Sequence, residues 1–385
     1  MPSTRRWTVA ERVQARSREA LARLRAASDR AERPLSFMEV CGTHTTAAFR
    51  LGLPSLMPEN VRLLSGPGCP VCVTAQGDID LLIALALDHR VTLCTYGDML
   101  RVPGRRGSLA KARARGADLR VVYSSLDAVR LAAAEPERQL VFAAVGFETT
   151  APATAAAVET ARRLGLTNFS VLASHKRVMP ALEALAASPE LALDGFLLPG
   201  HVSVILGSEV YRPLVEARHL PCVIGGFEEA LMLVALAELA EQAVDGRAEL
   251  VNLYPEAVRP RGNRVAQDLL ERVFEPAEVP WRGLSRIPES GLVLRAAYAD
   301  FDATRRFGLL RAEDREPAGC ICGAVITAAA TPHDCRLFGT ACTPIDPIGP
   351  CMVSSEGTCQ AWFKYRGMPE PVLEPEPSTQ IASPA

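Results

Sequence analysis

The stretch QLVFAAV, residues 139–145, runs through six successive apolar side chains without alternating, then breaks into GFETT at 146–150. A strand with one wet face alternates; a continuous run is the mark of a parallel strand covered on both faces. Seven further runs have the same character: LSFMEV (35–40), VRLLS (61–65), VTLCTY (91–96), LRVVYS (119–124), FSVLAS (169–174), GFLLP (195–199) and PCVIGG (221–226). Helical stretches at 76–88, 151–164, 179–187 and 228–245 separate several of them, which gives repeated β–α units. An Ala/Arg/Glu-rich amphipathic helix over 8–31 leads in, and another helix is expected over 263–275.

In open α/β sheets, ligands bind beyond the carboxyl ends of the strands. The strands here run into CGTHT, GPGCPVC, TYGD, GFETT, SHK, PGHVS and GGFE, so polar and glycine-bearing sequence gathers on that edge. Counting four strands and then four, the expected division is a lead-in over 1–34, a first lobe over 35–130 (with helices after 240 able to complete it) and a second lobe over 131–250. A helical linker with a cysteine-rich domain then covers 251–367, and a proline-rich disordered end covers 368–385. The fold class expected is α/β, with two Rossmann-like lobes whose parallel sheets face across a cleft, plus the cysteine-rich domain.

With 385 residues, 48% hydrophobic and 22% charged, the chain has the composition of an ordinary globular protein. A formal charge of −2 argues against nucleic acid or membrane as a partner recruited by bulk charge. No signal-like segment opens the chain and no run reaches membrane-spanning length, so a cytoplasmic location is expected. Eleven cysteines in that compartment point to metal or redox chemistry rather than a disulfide framework.

Six of them follow C-x-C-x12-C-x6-C-x8-C-x7-C between Cys320 and Cys359, interleaved with Gly319, Gly323, Gly339, Gly349 and Gly357. Four thiolates for an iron–sulfur cubane plus a spare pair fit this count, and a structural zinc site is the competing reading. Cys41 ends a strand in MEVCGTHT with His44 three residues on, which suits a soft metal ligand, a nucleophile or a buried strand-end thiol. GPGCPVC holds Cys69 and Cys72 as a redox pair, as two metal ligands shared with Cys41, or as a stiff turn. Glu148 in GFETT and His201 in PGHVS complete a candidate polar shell. Cys94 and Cys222 read as small buried hydrophobes. No phosphate-binding glycine motif of the Walker or dinucleotide type is present, so the α/β pattern alone assigns no nucleotide.

MEVCGTHT, GPGCPVCV, TYGDMLRVPG, AVGFETTAP, PGHVS, VPWRGL and CTPIDPIGPCMVSSEGTCQAW together resemble the HypD family of nickel–iron hydrogenase maturation factors, in order, over residues 36 to 366. The resemblance implies an assembly scaffold with redox activity rather than a turnover enzyme. Its partners would be a HypC-type chaperone and a HypE-type cyanide donor, and its product the Fe(CN)2CO group. It implies that Cys41 binds the iron, that Cys69 and Cys72 form a dithiol beside it, and that Cys320, Cys335, Cys342 and Cys359 ligate a 4Fe-4S cluster. Cys322 and Cys351 would then be a second dithiol, between cluster and surface. The reading from another class is an iron–sulfur-dependent thiol-disulfide reductase acting on a protein partner through Cys69–Cys72.

Overall fold

The computed structural model describes residues 8–366. All eight expected runs are strands: β1 (Leu35–Glu39), β2 (Val61–Ser65), β3 (Val91–Thr95), β4 (Asp118–Val121), β5 (Gln139–Gly146), β6 (Phe169–Lys176), β7 (Gly195–Leu198) and β8 (Cys222–Ile224). Three more follow: β9 (Leu250–Asn252), β10 (Phe274–Trp281) and β11 (Ser285–Leu294). They form two sheets, in the orders β2-β1-β7-β8-β9 and β10-β11-β6-β5-β3-β4. The first sheet is parallel throughout; in the second, β3, β4, β5 and β6 pair in parallel and the β10–β11 hairpin adds antiparallel to β6.

The α/β class and the two parallel-dominated sheets stand, but the grouping of strands does not follow chain order. The chain leaves the first sheet after β2, builds β3 to β6 in the second, and returns with β7, which pairs with β1 in the register Phe37↔Gly195. Residues 35–130 and 131–250 therefore each contribute strands to both sheets. The linker after 250 is not simply helical either: Arg264–Val273 is a helix, and the hairpin follows at once. Pro276 and Pro280 argue against a strand, because neither can donate to a ladder. β10 is the outermost strand of its sheet, where that missing donor costs nothing, and its pairing is irregular between Ala277 and Val279.

Both faces of the strands are covered, as their continuous runs require. In β5, Leu140, Phe142 and Ala144 join one core while Val141, Ala143 and Val145 join another. The second of these spans both sheets, taking in Met38, Leu93, Phe196 and Ile224, and it includes Cys322 and Cys351 of the tail. The lead-in helix Val9–Arg30 covers the first sheet's outer core, with Arg23 bridging to Glu238 and Glu241 on the helix Glu229–Val244. Among the described residues no helix is long and apolar enough to cross a membrane. The proline-rich end, 368–385, lies outside the described residues.

Candidate functional site

In the first sheet, the chain steps from β1 outward to β2 and in the opposite direction to β7, so the crevice beyond β1 and β7 is the switch point where α/β sheets bind ligands. Cys41 stands there, as the residue before the helix Gly42–Arg50. A cavity of about 350 Å³ opens beside it, walled by Val40, Gly68 and Pro70 on one side and, on the other, by Phe147 and Thr149 after β5 and Val178 after β6. His201, just after β7, lines it too, so the carboxyl ends of both sheets face the same space.

Two backbone approaches build the Cys41 corner. Gly42 donates its N–H to the carbonyl of Gly68 at 3.1 Å, and a Cβ on Gly68 would collide with the backbone of Cys41. Only glycine lets the GPGCPVC loop close on the strand end. Below, the buried carboxyl of Glu39 accepts from the Cys41 N–H at 2.9 Å and from the Thr45 hydroxyl. Burial pushes Glu39 up to about 7 and the Cys41 thiol up to about 12. For the thiol, Glu39 and Glu356 add to the burial, so it is protonated unless a cation takes the proton's place.

Cys69 and Cys72 are joined as a disulfide, with Cα atoms 5.2 Å apart across the short helix Pro70–Val73. Both are buried. His44 is fully buried as well; burial pulls it down to about 4, its Nε2 meets the Gly226 carbonyl at 3.1 Å, and its Nδ1 has no partner. It does not line the cavity but touches Phe227 (4.7 Å between centroids), and His201 stacks on the same ring at 4.1 Å. Phe227 thus links the two histidines. Glu148 is not brought to this cavity: while its neighbours Phe147 and Thr149 line it, Glu148 faces a second cavity of about 280 Å³ with Met179, Leu206, Leu270 and Phe274. Its Oε1 accepts from the Val178 N–H at 2.9 Å, so it sets the Val178 backbone from behind.

The tail reaches this corner with a residue that sequence reasoning missed. Glu356 lies against Gly42 and accepts from the Thr43 hydroxyl at 2.7 Å, and the Ser355 carbonyl accepts from Thr46. Its one sequence signal was its place in the string SSEGT between two cysteines.

The tail cysteines form a connected set. The Cys359 N–H donates to the Cys351 Sγ at 3.3 Å, and the sulfurs of Cys320, Cys322, Cys351 and Cys359 are near enough to perturb one another's ionisation in turn. Cys322 and Cys351 are 2% and 1% exposed, whereas Cys320, Cys335 and Cys359 are half-buried. The inner pair is thus buried in the core that also holds Cys69 and Cys72 and does not reach the surface. The donors suit an iron–sulfur cluster. Cys320 Sγ occupies the space a Cβ on Gly349 would fill, at 2.6 Å, and Cys342 Sγ accepts the Ile348 N–H at 3.3 Å, a bond that favours thiolate. Among the described residues no three ligating side chains converge on one bare metal ion. A cubane asks something different, since each thiolate binds its own iron and stands apart from the others.

The HypD family model, described as "Hydrogenase formation hypA family", matches residues 15–366. The chain is 49% identical over 358 residues to the hydrogenase maturation factor HypD of Azotobacter vinelandii, covering 91% of this chain and 94% of that protein. It is 45% identical over 358 residues to the protein of that name from Rhizobium leguminosarum bv. viciae (91% and 93%), and 43% identical over 337 residues to that of Escherichia coli strain K12 (87% and 90%).

Proposed function

The chain belongs to the HypD family and is a hydrogenase maturation factor, and from that premise we propose that it is the redox scaffold on which the Fe(CN)2CO group is assembled with HypC-type and HypE-type partners. The observation that carries this reading is the sequence of sulfurs in space. Half-buried Cys320 and Cys359 flank the buried pair Cys322 and Cys351, which shares one core with the Cys69–Cys72 disulfide, whose loop leans on Cys41.

Cys41 holds the iron as substrate, together with a thiolate from the chaperone. A soft, low-spin iron carrying cyanide and carbonyl favours such ligands. The proton lost from Cys41 on binding offsets a thiol that burial otherwise keeps protonated. Cys320, Cys335, Cys342 and Cys359 would hold a 4Fe-4S cluster, which passes electrons one at a time when bound. Cys322 and Cys351 collect two electrons as a dithiol, and Cys69–Cys72 receives them next to the iron.

Two electrons are what cyanide transfer needs. A thiocyanate R–S–C≡N on the HypE-type donor takes up two electrons and one proton to give R–SH and cyanide. The Cys69–Cys72 dithiol supplies two electrons and two protons as its S–S bond forms. One proton ends on the departing thiol, cyanide ends on iron, and the second proton leaves.

Infrared spectroscopy of the chain co-purified with its HypC-type partner tests this. Bands from iron-bound cyanide and carbonyl are expected, and they should vanish in Cys41→Ala while the visible absorption of the cluster persists. Diatomic bands of full intensity in Cys41→Ala would remove Cys41 as the iron ligand.

A further inference from the structure

Arg282 is 3% exposed, a guanidinium set deep between the two dithiols. Its Nε donates to the Cys72 carbonyl at 3.1 Å, and its Nη2 to the Thr74 carbonyl at 3.1 Å and the Gln76 amide oxygen at 3.2 Å. Its own N–H donates to the Val73 carbonyl at 2.9 Å. None of these acceptors carries charge. Its Nη1 is buried and has no partner at all. A cation taken out of water without a counter-charge is strongly disfavoured, so something must offset it.

The element packed against this turn begins with Cys322. Gly283, at φ +77, packs directly on the backbone of Gly323, which brings the Arg282 turn against the first turn of the helix Cys322–Ile326. Gly323 follows Cys322 directly, so the guanidinium's turn is held beside the turn that carries that sulfur. On its other side it grips the carbonyl of Cys72. In the oxidised state of Cys69–Cys72 neither group offers an anion.

We infer that Arg282 is the positioning residue of the dithiol relay: it fixes the Cys72 loop and supplies the counter-charge, through its free Nη1, for the negative charge that the sulfurs carry as electrons pass between the two pairs. The inference rests on the relay proposed above. In that exchange two electrons break the Cys69–Cys72 bond, the Cys322–Cys351 pair releases those electrons and two protons as its own S–S bond forms, and the protons end on Cys69 and Cys72. A fixed cation between the pairs stabilises the thiolate in equilibrium with the reduced pair, so it favours the reduced form of the acceptor and needs no rearrangement to do so.

The test is a redox titration of the full chain, purified anaerobically, against dithiothreitol buffers. Each pair is read at peptide level by alkylation and mass spectrometry. In Arg282→Met the equilibrium constant for reducing Cys69–Cys72 should fall about tenfold, a potential about 30 mV more negative for a two-electron couple. Arg282→Lys keeps the charge and should stay within about threefold of the wild type. A Met variant that folds and titrates like the wild type overturns the inference, and so does a Lys variant shifted as far as Met. Should Met not fold, Arg282→Gln, which retains an amide donor, replaces it, and the Lys result stands on its own. If the wild-type disulfide resists every buffer, the relay itself falls and this inference with it; if the wild type titrates and the variants match it, only the role of Arg282 falls.

Discussion

Cys41 and Cys342 are almost equally buried, 8% and 7% exposed, yet the molecule holds them by different means. Cys41 follows a strand paired on both sides, is locked by Gly68, and sits over the core that spans both sheets. Cys342 lies in a loop whose ladder is a single bridge, Phe338↔Cys342, over a cluster of three buried residues: Phe338, Cys342 and Met352. Burial of a thiol says nothing about what keeps it there. The fold places Cys41 whether or not iron arrives, whereas the outer tail has too little apolar surface to order itself and, on the reading above, takes its shape from what its thiolates bind.

The largest expected effect breaks the tail alone. Cys342→Ala should remove essentially all cluster iron, sulfide and visible colour and leave residues 327–348 open to proteolysis. The two sheets should still unfold cooperatively, because their core draws on the inner cysteines and not on Cys342. Quantitative iron and sulfide analysis with limited proteolysis checks it; a variant with full colour and a protected tail would erase the contrast.

Gly68→Ala probes the other region and should act in reverse. The added methyl meets the N, Cα and carbonyl carbon of Cys41, which are backbone atoms that cannot rotate away. Overpacking of this kind costs about 1–3 kcal/mol, and it pushes the GPGCPVC loop from the Cys41 corner. Denaturant melts should show the loss in stability while cluster content is unchanged. A variant as stable as the wild type, with normal diatomic bands, would mean the close approach is not needed.

The same contrast explains what the sequence disclosed. Continuous runs such as VTLCTY and QLVFAAV announce buried parallel strands through their own composition, so eight strands could be read locally. The β10 strand could not, since Pro276 and Pro280 are acceptable only at a sheet edge, and position in a sheet is not a local property. Nor could the return of β7 to β1, because GFLLP pairs as well with any apolar neighbour and its partner lies far back in the chain. Among the candidate site residues, the cysteines and His201 were legible because their chemistry is carried by residue type. Phe227, Glu356 and Arg282 were not: each matters through a partner distant in sequence. Glu148 was legible as a strand-end acid, but its direction depends on the alternation of Phe147, Glu148 and Thr149 at the end of β5, which a bare motif does not give.

The smallest effect sharpens the fold-held side. Glu148 is fully buried, and burial pushes its carboxyl up to about 7, against the Val178 N–H, which favours the charged form. Its Oε2 has no partner. From the ordinary glutamate value of 4.5 up to about 7 the folded chain keeps a proton that the unfolded chain releases. The group's contribution is therefore whole below the unfolded value and lost as pH rises through the folded one. His44 and His175, both pulled down to about 4 by burial, act in the opposite sense, losing stability as pH falls toward 4. The wild-type profile thus contains opposing slopes, and only a paired comparison isolates Glu148. Glu148→Gln keeps an oxygen for the Val178 N–H and never ionises. Relative to the wild type it should gain on the order of 2 kcal/mol between about pH 5 and about pH 8, with cluster absorption identical at both. Urea melts of the two proteins at each pH supply the numbers. Parallel curves would show that the Glu148 carboxyl titrates as if exposed, and that the cavity behind β5 is wet.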